Sequence, residues 1–192
     1  SQDLRFSRSH WRENYPGATP PGSVYGAGSP TGNVFIEDDI LGLKGTYLVA
    51  CMVRKQIMAC LPKLTDGRIE MGKHQDFIQL KEGEKGQFFL PTDLLIGTDG
   101  SLFLSDFYND TSRRTNQVSG TIYRITRKDA APLKRASIDF SNTAGLLAAL
   151  DNPAINVRSH AAHLLVKGGD FSSLFASLMK TGSPESIARR LW

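Results

Sequence analysis

The sequence predicts a mainly β chain that ends in α-helices, with two four-stranded sheets followed by a helical segment. Three observations support this fold class. Short runs of alternating apolar and polar residues are bounded by Asp-Gly and Ser-Gly turns, as in antiparallel sheets. A similar order of runs recurs after about 45 residues. Beyond Asn142 the apolar spacing changes from that of a strand to that of a helix.

Composition is that of an ordinary globular protein. The 192 residues are 40% hydrophobic, and eighteen glycines and nine prolines favour a turn-rich β fold. The net charge of +4 is spread over scattered basic residues, so we expect no nucleic-acid partner. No apolar run approaches the roughly 20 residues that span a bilayer. Cys51 and Cys60 do not make a disulfide scaffold, and we expect free, buried thiols.

The first domain boundaries follow from turn signals. Residues 1–33 are rich in Gly, Pro and Ser and predict an irregular N-terminal arm. Residues 34–140 carry the strands. In the first repeat we predict strands at 33–36, 45–53, 56–64 and 68–80, with turns at Arg54-Lys55 and Asp66-Gly67.

Residues 91–138 repeat this plan around the Asp99-Gly100 turn. Leu94 and Ile96 precede the turn, and Leu102 and Leu104 follow it. After a loop come a third strand and a polar edge. A β-propeller consists of four-stranded units, called blades, that repeat at about this spacing. The two repeats therefore predict two blades of a β-propeller.

Residues 141–192 form the predicted helical segment. Gly168-Gly169 ends one helix, and Ser183-Pro184 begins the last. His160 and His163 share a helix face, but no third ligand stands at a suitable spacing, so we predict packing and no metal site.

One stretch, residues 89–126, carries a recognisable pattern. Its parts are Pro-Thr-Asp, Gly-x-Asp-Gly, Ser-Asp-Phe-Tyr and Gly-Thr-Ile-Tyr-Arg-Ile. The pattern resembles a blade of the six-bladed β-propellers of the soluble glucose and sorbosone dehydrogenase family. It is most similar to the large planctomycete-type membrane-bound dehydrogenases, in which HEAT-like repeats follow the propeller. The resemblance covers roughly residues 23–192, and the segment LLAALDNPAINVRSHAAHLLVKGG looks like a HEAT repeat. This likeness implies that Arg158 pairs with Asp151 or its equivalent inside the repeat, the alternative being that Arg158 binds an anion.

The resemblance implies an oxidoreductase that uses pyrroloquinoline quinone and calcium to oxidise a sugar. It also implies a periplasmic or secreted location, a c-type cytochrome as partner, and remaining propeller blades supplied by further chain or another protein. In the family a His base lies in an early blade, and Lys and Arg side chains contact the quinone, which carries carboxylates.

Most of these functional residues of the family have no counterpart at the matching positions of this sequence. Leu90 and Thr92 stand where the family has Arg, and the pocket Lys falls at about Val53. The family's base has no counterpart, so we predict no catalytic residue and an isolated chain that is inactive. The candidates that remain for cofactor binding are Arg54, Lys55 and Asp93.

Candidates for ligand binding are Asp106, Tyr108 and Asn109. Asp93 and Asp106 could face the top of the propeller, although we favour the alternative that they cap turns or bond backbone amides. Tyr108 and Asn109 are predicted in a loop after a strand, where a solvated loop is the alternative. For the chain as a whole, the alternative to a dehydrogenase part is a non-catalytic module that binds protein or glycan through propeller and HEAT surfaces.

Overall fold

A computed structural model describes residues 28–79, 89–109, 118–169, 171–180 and 183–191. The strands are β1 (Pro30–Phe35), β2 (Tyr47–Cys51), β3 (Gln56–Cys60), β4 (Lys63–Thr65), β5 (Arg68–Glu70), β6 (Gln75–Gln79), β7 (Pro91–Ile96), β8 (Leu102–Asn109) and β9 (Val118–Ile125). The helices are α1 (Thr143–Ala149), α2 (Ile155–Gly168), α3 (Phe171–Leu178) and α4 (Pro184–Leu191). A mainly β chain with C-terminal helices is therefore confirmed. Residues 1–27 of the predicted arm lie outside the described residues.

The first sheet has the predicted four strands, in the antiparallel order β1-β2-β3-β6. In the hairpin of β2 and β3, Cys51 is opposite Gln56 and Tyr47 is opposite Cys60. The turn includes Lys55, whose φ is 56°. The two cysteines therefore lie at opposite ends of the hairpin, and both are free and buried, as predicted.

The prediction of one strand over 56–64 and one over 68–80 is wrong. The chain leaves the sheet after Cys60, because Pro62 has no N–H to donate to a ladder. It then forms a separate hairpin of β4 and β5 and returns as β6. Asp66 and Gly67 have φ of 48° and 76°, the left-handed pair that a tight two-residue hairpin turn needs.

The second sheet has three strands in the described part of the chain, in the antiparallel order β7-β8-β9, where four were predicted. Residues 126–142 contain turns and irregular chain in place of the fourth strand. This segment is polar, lacks alternation and includes Pro132, which explains why it does not continue the sheet.

The two sheets pack face to face over one apolar core. Leu48 and Ile57 of the first sheet meet Leu102 and Leu104 of the second, and all four are essentially inaccessible to solvent. The first strands of the two sheets, β1 and β7, lie side by side, and Thr31 Oγ1 donates a hydrogen bond to the Pro91 carbonyl at 2.9 Å. The core thus fixes how one sheet faces the other.

The helices have a second apolar core. Its buried members are Leu146, Ala149, Leu150, Ala154, Val157, Ala161 and Leu165. Asn142 caps α1 by accepting a hydrogen bond from the Gly145 N–H at 2.9 Å. Gly169 ends α2 with φ of 69°, as the Gly-Gly pair predicted.

Arg158 does not pair with Asp151, contrary to the prediction. Its side chain donates to the carbonyls of Asn152 and Pro153 at 2.9 and 2.8 Å and binds Glu37 of the loop after β1 at 2.5 Å. The side chain of a residue in the first turn of a helix points back toward the N-terminus, which is where these carbonyls lie. Asp151 instead binds Arg190 of α4 at 2.6 Å.

The turn between β7 and β8 contains a carboxylate with a shifted pKa. Asp99 accepts hydrogen bonds from Ser101 Oγ and N at 2.6 and 3.0 Å and binds Arg124 at 2.5 Å. Burial would raise the pKa of Asp99, but the bonds from Ser101 and the Arg124 guanidinium outweigh it and lower the pKa from 3.8 to about 2.

We expect Asp99→Asn to make the free energy of unfolding fall less steeply as the pH is lowered into the acid range. Since the pKa of Asp99 is lower in the folded chain, its charge stabilises the fold above about pH 4, and this contribution is lost as the pH falls toward 2. Because the Arg124 side chain is 46% exposed and solvent screens the pair, the contribution is about 1 kcal/mol. Urea unfolding of wild type and Asp99→Asn at several pH values measures the difference. A difference that stays constant from pH 5 to about pH 2 would contradict this assignment.

Candidate functional site

The six predicted site residues lie toward one end of the two sheets, which we call the upper end. Strands β1, β3, β7 and β9 begin at this end, whereas β2, β6 and β8 end there. The contact of Thr31 with Pro91 places the upper ends of the two sheets next to each other. The residues in question are Arg54, Lys55, Asp93, Asp106, Tyr108 and Asn109.

Asp106 is buried, with 5% of its surface exposed. Its Oδ1 accepts a hydrogen bond from the Leu90 backbone N–H at 2.7 Å, and its Oδ2 is 3.4 Å from the Tyr123 hydroxyl that donates to it. These bonds join β8 to the start of β7 and to β9. They are the bonds of a structural carboxylate, and a ligand-binding role for Asp106 stays a prediction.

Asp93 is exposed on β7, next to an irregularity in the pairing of β7 with β8. Its Oδ1 accepts a hydrogen bond from the Leu94 N–H at 2.8 Å. The neighbouring Thr92 hydroxyl is 2.9 Å from the Ser105 hydroxyl of β8. Thr92 is therefore turned toward the adjacent strand, and Asp93 is the side chain of this pair that meets solvent.

Arg54 and Lys55 lie in the turn between β2 and β3. Arg54 is half-buried and Lys55 is exposed. The turn belongs to the first sheet, whereas Asp93 and Asp106 belong to the second. The described residues thus place two cations and two carboxylates at the upper end, on separate sheets.

Tyr108 and Asn109 are not in a loop, contrary to the prediction. They are the last two residues of β8 and lie opposite Ser119 and Val118 of β9. The aromatic residues at 107 and 108 favour strand conformation, and β9 is long enough to pair with them. Their ligand-binding role stays a prediction.

Within the residues that the structure describes, the upper end does not fit a quinone that carries several carboxylates. Such a cofactor needs cations at fixed positions. Leu90 is apolar, Thr92 bonds within the sheet, and Asp93 and Asp106 add negative charge. Arg54 and Lys55 are the two cations that the predicted site contains.

A second polar site, at the opposite end of the sheets, was not predicted. We call this the lower end; it carries the connections from β1 to β2 and from β7 to β8, and the helices contact it. Glu37 lies there between Arg158 and Arg189, beside a cleft of about 400 Å³. Burial lowers the pKa of Arg158, and Glu37 opposes that effect. Two features of the sequence could have indicated this site: the acidic run 37–39 and the basic pair in α4. They are far apart in the chain, and no local pattern connects them.

Each sheet also has a second apolar face that the other sheet does not cover. On the first sheet this outer face forms a groove of about 880 Å³ with the hairpin of β4 and β5. Phe35, Tyr47 and Val49 line it from the sheet and Leu64 and Ile69 from the hairpin, while Met58 is already buried. On the second, Leu95, Phe107 and Ile122 are 44%, 45% and 74% exposed. Asp93 is exposed on the second sheet as well, but several large apolar side chains exposed on one face mark a surface that a partner covers.

A scan against protein-family models gives no match, and a comparison with curated proteins gives none either. Among solved structures, the chain is similar to one from Thermus thermophilus described as an oxidoreductase (glucose dehydrogenase), at 16% identity and a TM-score of 0.44. The match covers 59% of this chain and 30% of that one, so the chain spans less than a third of that structure. Values of this size describe a coarse likeness of fold.

No helix within the described ranges is long and apolar enough to cross a bilayer. Nor do they bring together three or more His, Cys, Asp or Glu side chains that could hold a metal ion. His160 packs its ring edge-on to Phe140, with centroids 4.9 Å apart.

Proposed function

We propose that the chain supplies two blades and the adjoining HEAT-like helices of a propeller protein of the glucose and sorbosone dehydrogenase type, and that it is not catalytic by itself. The observation that carries the proposal is the large apolar side chains that remain exposed on the outer faces of the two sheets, Phe35 on the first and Leu95, Phe107 and Ile122 on the second. A blade inside a propeller has a neighbour on each side, so both of its faces are apolar. The pattern at 89–126 supports the assignment to this family.

The arrangement of strands supports the same proposal. In a propeller the first strand of each blade lies nearest the central axis, and the blades widen outward. Here β1 and β7 are the first strands of their sheets and lie side by side, whereas β6 and β9 form the far edges. The helices contact the connections at the lower end, which is opposite to the candidate site residues.

In the parent protein, oxidation of a sugar with pyrroloquinoline quinone and calcium, and electron transfer to a c-type cytochrome, would depend on residues from other blades. A periplasmic or secreted location belongs to the same proposal. Arg54, Lys55 and Asp93 would contribute to the rim of the upper end. Leu90 and Thr92 stand where the family has Arg. We therefore infer that this chain has a structural role and does not supply the catalytic base.

The test is an activity assay of the chain alone. We expect no reduction of an electron-accepting dye when the purified chain is mixed with the quinone, calcium and glucose. A quinone-dependent glucose dehydrogenase in the same assay is the positive control. Turnover by the chain would overturn the proposal that it is inactive by itself.

A second candidate is a non-catalytic module that binds protein or glycan. The absence of cations at positions 90 and 92 favours it. The gene distinguishes the two candidates: a His in a loop of a preceding blade together with a CxxCH motif supports the enzyme. A gene that encodes neither supports the module.

A further inference from the structure

The groove between the outer face of the first sheet and the hairpin of β4 and β5 contains several soft metal donors. Thiol and thioether groups select Cu(I) over hard cations, and imidazole binds copper as well. No Asp or Glu side chain is among the described residues that line the groove, so it offers no carboxylate to Ca²⁺ or Mg²⁺. The soft donors in the lining are Met58, Cys60, Met71 and His74.

The register of β3 with β6 places Cys60 and His74 next to each other. The last paired residues are Ala59 and Gln75, so the residues directly beyond them, Cys60 and His74, come opposite each other. Both line the groove, which means that their side chains lie on the same face of the sheet. Cross-strand neighbours on one face have Cβ atoms about 5 Å apart. A thiol and an imidazole at this separation can hold one metal ion between them.

The two chain segments stay adjacent beyond the last paired residues. A Cβ on Gly72 would lie 3.6 Å from the Leu61 carbonyl oxygen, so the residue after Cys60 still runs beside the residues that precede His74. Met58 is two residues from Cys60 on β3, and its side chain therefore lies on the same face. The Met58 thioether is thus a third donor beside the first two.

The surroundings of these donors differ in their access to water. Cys60 and Met58 are buried, whereas His74 is half-buried. Burial raises the pKa of the Cys60 thiol, so a metal ion that binds the sulfur displaces a proton. Lys63, which also lines the groove, is exposed, and its ammonium group can stay in water. The sulfurs are therefore shielded from water, and the imidazole is accessible.

We propose that Cys60 and His74, with Met58 as a third ligand, bind one Cu(I) ion. The ion forms bonds to Cys60 Sγ, to an imidazole nitrogen of His74 and to Met58 Sδ. The thiol proton goes to solvent, and no electron is transferred. Only two of these ligands are of the His, Cys, Asp and Glu types, so the site agrees with the lack of a three-residue cluster of those types in the described ranges. The site does not depend on the dehydrogenase assignment.

A competition titration tests the site. The reduced 192-residue chain is mixed, without oxygen, with Cu(I) held by bicinchoninate, whose colour fades as copper leaves it. We expect the wild-type chain to remove one equivalent of Cu(I), and we expect Cys60→Ala and His74→Gln each to weaken binding by at least about tenfold. A wild-type chain that removes no copper would overturn the proposal.

Cys51→Ala is the matched control for Cys60→Ala. Cys51 is also a free, buried thiol, but it does not line the groove and lies four residues along β2 from Tyr47, the partner of Cys60, a distance of about 13 Å. His163→Gln, on the exposed face of α2, is the control for His74→Gln. Both controls should bind Cu(I) as the wild-type chain does. If Cys51→Ala weakens binding as much as Cys60→Ala, or if His74→Gln leaves it unchanged, the proposed site is wrong.

A second readout uses the wild-type chain, so it stands even if a variant does not fold. Ag(I) is a soft ion like Cu(I) and is stable in air. We expect one equivalent of Ag(I) to shift the imidazole proton signals of His74 in the NMR spectrum and to leave those of His160 and His163 in place. Unchanged His74 signals, or equal shifts at all three histidines, would contradict the proposal.

Discussion

A side chain at Gly32 should severely destabilise the chain. A Cβ at this position would overlap Asp93 Cα and lie 2.9 Å from the Leu94 backbone nitrogen. Both neighbours belong to β7, whose backbone is held by the second sheet and cannot move away without separating the sheets. We expect Gly32→Ala to lower the free energy of unfolding by about 3 kcal/mol and Gly32→Val to prevent folding.

The matched control is Gly168→Ala. Gly168 lies in the last turn of α2, and a Cβ there would meet nothing within 4 Å. Ala has the higher helix propensity, so Gly168→Ala should be neutral or stabilising by up to about 1 kcal/mol. Urea unfolding followed by circular dichroism measures both variants. A Gly32→Ala chain as stable as wild type would show that β1 and β7 are not in contact.

We expect Leu102→Ala to cost about 3 kcal/mol of unfolding free energy. Leu102 has no exposed surface and lies between the sheets, so its truncation leaves a cavity in the shared core. Leu95, on the outer face of the neighbouring strand β7, is 44% exposed. Leu95→Ala removes the same atoms from a half-exposed position and should cost less than about 1 kcal/mol in the isolated chain.

Comparing the unfolding free energy lost in Leu102→Ala with that lost in Leu95→Ala shows which face of the second sheet is covered in solution. If Leu95→Ala proved as costly as Leu102→Ala at low protein concentration, the outer face would already be buried within one chain. The same urea titrations give both values.

Local signals explain what the sequence could predict. The tight turns at Asp66-Gly67 and Asp99-Gly100 and the end of α2 at Gly169 each depend on the backbone preferences of one or two residues. The alternation of apolar residues then assigns faces to β7 and β8. These features were predicted from the sequence because their causes lie within a few residues.

The wrong predictions fall where local preferences compete, or where the contact that decides the structure is distant in the sequence. Pro62 ends β3 early, although the apolar pattern continues past it. Tyr108 and Asn109 extend β8 because a partner strand is present, which a single strand does not reveal. Arg158 pairs with Glu37, which is 121 residues away, instead of the nearby Asp151. Long-range pairs of this kind leave no local pattern in one sequence.

The strand order brings the six candidate residues toward one end of the sheets, while their role in binding stays a prediction. Whether Asp106 meets a ligand or a backbone amide depends on the approach of Leu90, which the sequence does not encode. The Glu37 cluster was missed because its members come from three separate elements.

The central claim is that the outer sheet faces are built to be covered by neighbouring sheets. Size-exclusion chromatography with light scattering on the 192-residue chain, with and without Ile122→Ser, tests it most directly. We expect the wild-type chain to self-associate as its concentration rises and to bind a hydrophobic dye, and we expect Ile122→Ser, at a side chain 74% exposed, to weaken both effects. A monodisperse monomer that unfolds cooperatively, binds no dye and does not respond to Ile122→Ser would contradict the claim.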